Sequence, residues 1–194
     1  MSGCIIGNFG FQRSGKTLLA YLIAEGYRKG EGIPVYSNMY VREWVKIKSL
    51  TDLPFNHEPK VLLLDEAYYF MDSRNWQDNT ESTIFFNTIG KQNILLIITA
   101  ISPDMIEKRL RSQMNYVYLV KSDKNYIYYR MLDSVRKKYN DFSIKKCDEL
   151  FSGLTYDTKQ VPDIVDCSLK NFTDRVKEFY GKAETENLRR VKKL

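Results

Sequence analysis

Apolar residues come in short unbroken blocks, and the blocks alternate with stretches that repeat every three to four residues. Residues 4–9 (CIIGNF) are long enough for a buried strand and too short for a helix. Residues 17–29 follow as a helix, with Leu18, Leu19, Leu22 and Ile23 on one face and Gly30 closing it. Residues 33–39 (IPVYSNM), 61–65 (VLLLD, after a turn at Pro59) and 93–100 (NILLIITA) read as three more strands, and residues 79–88 as a helix. Ser102 as N-cap and Pro103 at the first helical position open another helix over 102–112. Two further strands, 115–120 (NYVYLV) and 125–132 (NYIYYRML), are joined by the polar turn Ser122-Asp123-Lys124 and pair as a hairpin.

Strands alternating with helices define an α/β protein with a mostly parallel central sheet. The wholly apolar runs 61–64 and 94–98 fit burial on both faces, so helices are expected on both sides of the sheet. The last third of the chain differs. Residues 156–168 (YDTKQVPDIVDCS) look like loop, and 168–194 form a charged helical segment ending in LRRVKKL. The expected organisation is one domain, a core over 1–150 with an extension, 151–194, packed on it or trailing from it. A length of 194 residues suits a single core of that kind.

The longest apolar stretch, 94–101, is broken by Thr99 and falls far short of the roughly 20 residues a membrane helix needs. No transmembrane segment is expected, and the early first strand leaves no room for a signal peptide. Cys4, Cys147 and Cys167 are widely spaced and His57 is the single histidine, which argues against a disulfide framework and a zinc ribbon. A reducing, cytoplasm-like location follows. The formal net charge of +6 is compatible with a polyanionic partner, though a basic balance alone does not select one.

The chemistry is concentrated after the first strand. Gly10-Phe11-Gln12-Arg13-Ser14-Gly15-Lys16-Thr17 fits G-x-x-x-x-G-K-[ST], with a strand before it and a helix after it. The glycines let the loop wind tightly and aim backbone N–H groups inward, and the helix N-terminus adds its positive dipole. Lys16 is placed to reach the β- and γ-phosphates, Thr17 to put its hydroxyl on Mg²⁺, and Leu18 to complete the contact. Asp65 and Glu66 end the strand VLLL. Along an extended chain their side chains diverge, so Asp65 can hold the metal while Glu66 polarises an attacking water. The bland alternative for Glu66 is a favourable charge at a helix start. The strand at 93–100 is the candidate to lie in space between the first strand and the one ending at Asp65, the order of ATPases with an additional strand and a catalytic Glu.

Taken in order, GFQRSGKT, VYSNM, LLLDEAYYFMDSRNW, NILLIITA and PDMIEKRLRS resemble the FtsK–HerA superfamily. The likeness is greatest to its small viral genome-packaging ATPases and Zot-like phage proteins, and covers about residues 3–120. The resemblance implies a RecA-like P-loop core with a C-terminal hairpin and helix, ATP and Mg²⁺ as cofactors, a homo-oligomeric ring (hexamer or pentamer) and ATP-driven translocation of double-stranded DNA. A viral capsid or portal protein would be a further partner, in the host cytoplasm or on the virion. Carried over, Lys16 and Thr17 bind phosphate and Mg²⁺, Asp65 is the Walker-B acid and Glu66 the catalytic base. The superfamily's polar sensor, often Gln after the Thr of that strand, is replaced here by Ala100-Ile101, which leaves Thr99 or Gln92 for the role.

A ring would also supply an arginine across the subunit interface to stabilise the transition state. Arg111 and Arg109 are the first candidates, then Lys91 and Arg74; an amphipathic helix face accounts for the first two equally simply. Arg42, Lys46, Lys48, the SVRKKY run at 134–139 and the basic tail are candidate DNA contacts or plain solvated surface. Competing readings are a thymidine-type small-molecule kinase, which shares an SGKT loop and a DE pair but carries a cysteine-rich zinc lasso absent here, a Zot-like morphogenesis ATPase, and a non-hydrolysing nucleotide-binding scaffold.

Overall fold

The apolar runs pair into one eight-stranded sheet, ordered β3-β2-β4-β5-β1-β6-β7-β8. The strands are β1 (Cys4–Phe9), β2 (Val35–Ser37), β3 (Val45–Lys46), β4 (Lys60–Leu64), β5 (Ile94–Ala100), β6 (Tyr116–Ser122), β7 (Tyr126–Asp133) and β8 (Lys138–Lys145). All pairings from β3 to β6 are parallel, and β6, β7 and β8 form an antiparallel meander. The computed structural model describes residues 3–69 and 85–167, with Glu178 and Gly181. As expected, β5 lies between β4 and β1, in register from Lys60↔Ile94 to Leu64↔Ile98 and from Cys4↔Leu95 to Phe9↔Ala100.

Alternation along the strands divides the core into two layers. Leu62, Leu64, Ile94, Leu96 and Ile98 face one side, where they meet Phe85, Phe86, Ile106 and Leu110. Val61, Leu63, Leu95 and Ile97 face the other, against Ala20, Tyr21 and Ala24 of α1 (Lys16–Glu31). Every residue of β4 and β5 is buried, as continuous apolar strands covered on both faces must be. Leu18 and Leu19 of α1 extend this second layer onto Val120, Ile127 and Tyr129 of the meander. Truncating one such leucine to alanine typically costs about 2–5 kcal/mol.

Several local expectations change. Helix α1 runs past Gly30 to Glu31 and stops at Gly32, whose left-handed φ of 68° lets its N–H turn back to Arg28 O. The second strand shrinks from 33–39 to Val35–Ser37, because the backbone beyond it bonds elsewhere: Asn38 O accepts from Asp163 N, Met39 N donates to Ser37 Oγ and Tyr40 N to Gln160 Oε1. The helix expected over 102–112 is split. Ser102 caps a 3₁₀ turn, Pro103–Met105; the chain extends at Ile106, and Glu107 starts α2 (Lys108–Ser112) by accepting from Leu110 N at 2.9 Å. Two side-chain caps close together give the backbone N–H groups alternatives to one continuous helix. Residues 85–88 are helical, and the rest of the helix expected at 79–88 lies outside the described residues, as do Arg74 and the basic tail. The run at 134–139 turns out to be the β7–β8 turn and the start of β8, which with β3 and α3 (Asp148–Ser152) had no assignment from sequence.

After α3 the chain crosses α1 and returns along residues 38–50. Arg42 N donates to Thr155 O, Asp163 N to Asn38 O, Asp166 N to Lys48 O and Leu50 N to Asp166 O. This strap, residues 155–166, brings a distant part of the sequence to the C-terminal ends of the parallel strands.

A candidate nucleotide-binding site

The loop between β1 and α1 is fixed by close approaches. A Cβ on Gly10 would lie 2.3 Å from Val120 O, and Gly15 has φ +101° with Ile127 closing over it. Neither position accepts a larger residue without moving the loop. Gly15 is the N-cap of α1 and supplies no side-chain cap, and the first turn carries no acid. The leading N–H groups of α1 are therefore left for an anion. Lys16 is buried and its Nζ donates to Phe11 O at 2.9 Å. Burial pulls its pKa below the ordinary lysine range, while Glu66 and Asp65 push the other way.

Two hydroxyls meet on one oxygen of Asp65. Thr17 Oγ1 donates to Asp65 Oδ1 at 2.8 Å, and Thr99 Oγ1 donates to the same oxygen at 2.7 Å. Burial raises the pKa of Asp65, and these two hydroxyls oppose the shift. Thr99 Oγ1 also accepts from Glu66 N at 2.9 Å, so one threonine sets both acids. Because β4 ends at Leu64 and a turn begins, the chain is not extended at Glu66, contrary to the expectation from sequence: its φ of 51° is left-handed and uncommon for a residue with a Cβ. One of its carboxylate oxygens, Oε2, is buried with no hydrogen-bond partner among the described residues. Ser14 Oγ and Asn8 Oδ1 share that condition, and Asn8 Nδ2 donates to Lys16 O at 3.3 Å. Gln92 Oε1, before β5, is a fourth such atom, and of the four residues only Glu66 lines the cavity beside the loop.

Sequence reasoning missed Asn38 and Asn8. With Asp65 and Thr99 they stand at the C-terminal ends of β2, β1, β4 and β5, neighbours in the sheet. A polar residue closing an apolar parallel strand was the available signal, because ligands of open α/β sheets bind at that edge. Asn38 holds Asp65 through both of its backbone groups and also donates to Asp163 O of the strap at 3.0 Å.

Asp65 opens onto a cavity of about 700 Å³, lined also by Gln12, Arg13 and residues 15–18 of the loop and helix start, by Glu66, and by strap residues 156–162. The oxygen donors Thr17 and Asp65 suit Mg²⁺, which takes one or two protein ligands and fills the rest with water and phosphate. Because Thr17 gives its proton to Asp65, its lone pairs remain available to a cation.

Of the other residues singled out by sequence, Gly10, Gln12, Arg13 and Ser14 lie on the loop, and Phe11 is 79% exposed. Gln92 is not at the site. It sits just before β5, at the end opposite Thr99, and its Nε2 donates to Thr88 Oγ1. Thr99 is the polar residue that β5 brings to the acids. Lys91 lies beside Gln92. Arg111, on α2, is ion-paired with Asp104, and Arg109 is exposed on the same helix. Neither arginine borders the cavity. Lys46 is paired with Asp163 of the strap at 2.9 Å.

The fold and site define a P-loop ATPase. Residues 6–122 match the ATPase family associated with various cellular activities (AAA), and the chain belongs to that family. In structure it is similar to the N-terminal domain of zonular occludens toxin from Neisseria meningitidis, with a TM-score of 0.59 at 16% identity, covering 81% of this chain and 100% of that one. It is similar as well to the genome-packaging NTPase B204 of Sulfolobus turreted icosahedral virus 2 in complex with AMPPCP (TM-score 0.57, 11% identity, 72% of this chain and 96% of that one). The DNA-packaging ATPase B204 of Sulfolobus turreted icosahedral virus gives 0.54 at 15% identity, over 73% and 98%. These are the two kinds of protein the sequence motifs resemble, and at these identities the likeness is one of fold. No curated protein matches the chain in sequence.

Proposed function

We propose that this ATPase is the subunit of a ring-shaped motor that moves double-stranded DNA, and that its work is packaging a viral genome. The observation that supports the hydrolytic half is that Glu66 lines the same cavity as Lys16, Thr17 and Asp65. Lys16 and the N–H groups of the loop hold the β- and γ-phosphates. Thr17 and Asp65 hold Mg²⁺, which when bound neutralises charge on the phosphates. Glu66 accepts a proton from the attacking water. Arg111 or Arg109 of a neighbouring subunit supplies positive charge to the transition state, so hydrolysis depends on assembly.

The translocation half is supported by the fold it has in common with packaging ATPases and by the net charge of +6. A capsid or portal protein as docking partner, and the host cytoplasm or virion as location, follow from that reading. ATP hydrolysis measured with and without double-stranded DNA, over a range of protein concentrations, tests it. Stimulation by DNA and a rise steeper than linear with concentration are expected; indifference to both contradicts the motor.

A second reading, a Zot-like ATPase in phage morphogenesis, is favoured by the overlay with the full length of the zonular occludens toxin domain. No helix among the described residues is long and apolar enough to cross a membrane. Co-sedimentation with membranes, against capsid precursors, separates the two.

A further inference from the structure

The meander has one covered face and one exposed face. Side chains paired across β6, β7 and β8 share a face: Leu119 with Arg130 and Asp141, Lys121 with Tyr128 and Ser143, Tyr126 with Lys145. All of these are exposed. The other face carries Val120, Ile127 and Tyr129, which pack on Leu18 and Leu19 of α1. An antiparallel sheet with one face in water normally puts polar residues there. This face instead sets large apolar groups between its charges: Leu119 is 46% exposed and Tyr128 45%. Leu119, Lys121, Tyr128, Arg130, Asp141 and Ser143 line a groove of about 470 Å³, which shares no lining residue with the cavity at the phosphate loop. The flat groups on it are held in place. Tyr128 Oη donates to Asp123 Oδ2 at 2.8 Å, its ring lies 6.1 Å from that of Tyr126, and Arg130 donates to Asp141 through Nε at 2.9 Å and Nη2 at 2.7 Å. Charge is concentrated here too. Residues 116–146 hold eight Lys or Arg and three Asp, a net +5 against +6 for the whole chain, so the basic balance belongs largely to the meander.

We propose that the outer face of the meander binds single-stranded DNA. Tyr126, Tyr128 and Leu119 take unpaired bases, and Lys121 and Lys145 contact phosphates. A duplex stacks its bases on one another and hides their faces, so exposed rings on a strand surface select an unpaired strand. The excess of positive charge supplies the complementarity that a phosphate backbone requires. The choice of DNA rests on the proposed work on a DNA genome; the surface itself does not depend on ATP hydrolysis. β7 carries the phosphate loop on its inner side, where Tyr129 Oη donates to Gly15 O at 3.3 Å, so one strand supports both the DNA face and the loop.

The test is fluorescence anisotropy, without ATP, of a labelled oligothymidylate of about 15 nucleotides, beside an abasic strand of the same length and a duplex. The wild type should bind the thymidylate about 10-fold more tightly than the abasic strand. Tyr128→Ala should remove that preference and leave duplex binding as it is, whereas Tyr128→Phe keeps the ring and the preference. Lys121→Ala combined with Lys145→Ala should weaken both single strands and flatten the slope of log affinity against log salt by about 1.4, the worth of two phosphate contacts. The substituted side chains are exposed, so the variants should melt as the wild type does. Equal affinity for thymidylate and abasic strands overturns the surface, as does a Tyr128→Ala variant that keeps the preference or loses duplex binding equally. Tighter binding of oligouridylate overturns the assignment to DNA. Sedimentation with phosphatidylserine vesicles in place of strand binding, lost in the same variants, overturns it in favour of a membrane. A protein whose hydrolysis responds to duplex DNA but which binds no single strand keeps the motor and loses this surface; the converse loses the motor alone.

Discussion

Asn38 grips Asp65 from both sides: its Nδ2 donates to Asp65 O at 2.9 Å, and its Oδ1 accepts from Asp65 N at 2.8 Å. The end of β4 is thereby held by a side chain from just beyond β2, and the position of the Asp65 carboxylate depends on a residue that does not itself line the cavity. Partners that orient a metal ligand are typically worth about 10–100-fold in activity or metal affinity. Asn38→Ala should lower kcat by that order, with a higher Mg²⁺ requirement and little change in KM for ATP. Steady-state kinetics over a Mg²⁺ titration checks this, and Asn38→Asp, which keeps the acceptor, should fall between.

Thr99 has a structural share in the site as well as a chemical one. Its hydroxyl is fully buried and serves Asp65 Oδ1 and Glu66 N together. Thr99→Val keeps the shape and removes both bonds, leaving a backbone N–H without its partner. The expected cost is about 1–3 kcal/mol in denaturant unfolding, accompanied by a loss of kcat. Unchanged stability would show that the two bonds are replaced by water.

The ion pair between Arg111 and Asp104 makes the proposed trans role separable from packing. If Arg111 acts across a subunit interface, Arg111→Ala abolishes the steep concentration dependence of hydrolysis, whereas Asp104→Asn, which frees the arginine, preserves it. If the pair only braces α2 against the turn before it, the two variants behave alike in hydrolysis assays and in melting.

Acid sensitivity of the fold should trace to Glu25. The Arg28 guanidinium, together with Trp44 Nε1 and Lys29, holds this carboxylate down at about 2, against an ordinary 4.5. A depressed pKa stabilises the fold above the unfolded value, and that stabilisation is lost as pH falls through the folded one. The stability difference between wild type and Glu25→Gln should therefore be constant near neutrality and shrink between about pH 4.5 and 2. Urea unfolding of both proteins across that range reads it directly.

The sequence made the phosphate loop, the paired acids and the central strand legible because each depends on local signals. Gly10, Gly15, Lys16 and Thr17 have fixed spacing, and β4 and β5 are continuous apolar runs that only burial on both faces explains. The strap was illegible for the opposite reason. Its hydrogen bonds go to residues more than 100 positions earlier, such as Asn38 and Tyr40, and nothing in YDTKQVP itself encodes that pairing. β3 is two residues long and β8 is mostly polar and exposed, so neither carries a period to detect. The split of the helix after β5 turned on Glu107 acting as a cap, a choice that an amphipathic pattern does not reveal.

In the proposed mechanism Asp65 and Glu66 divide the labour, one for metal and one for water. The direct measurement is ATP binding and single-turnover hydrolysis by Glu66→Gln beside the wild type. The account predicts Mg-ATP affinity close to wild type with hydrolysis reduced by about 10²–10⁴-fold, the usual worth of a general base. Hydrolysis near the wild-type rate in Glu66→Gln would contradict it and remove Glu66 from the reaction.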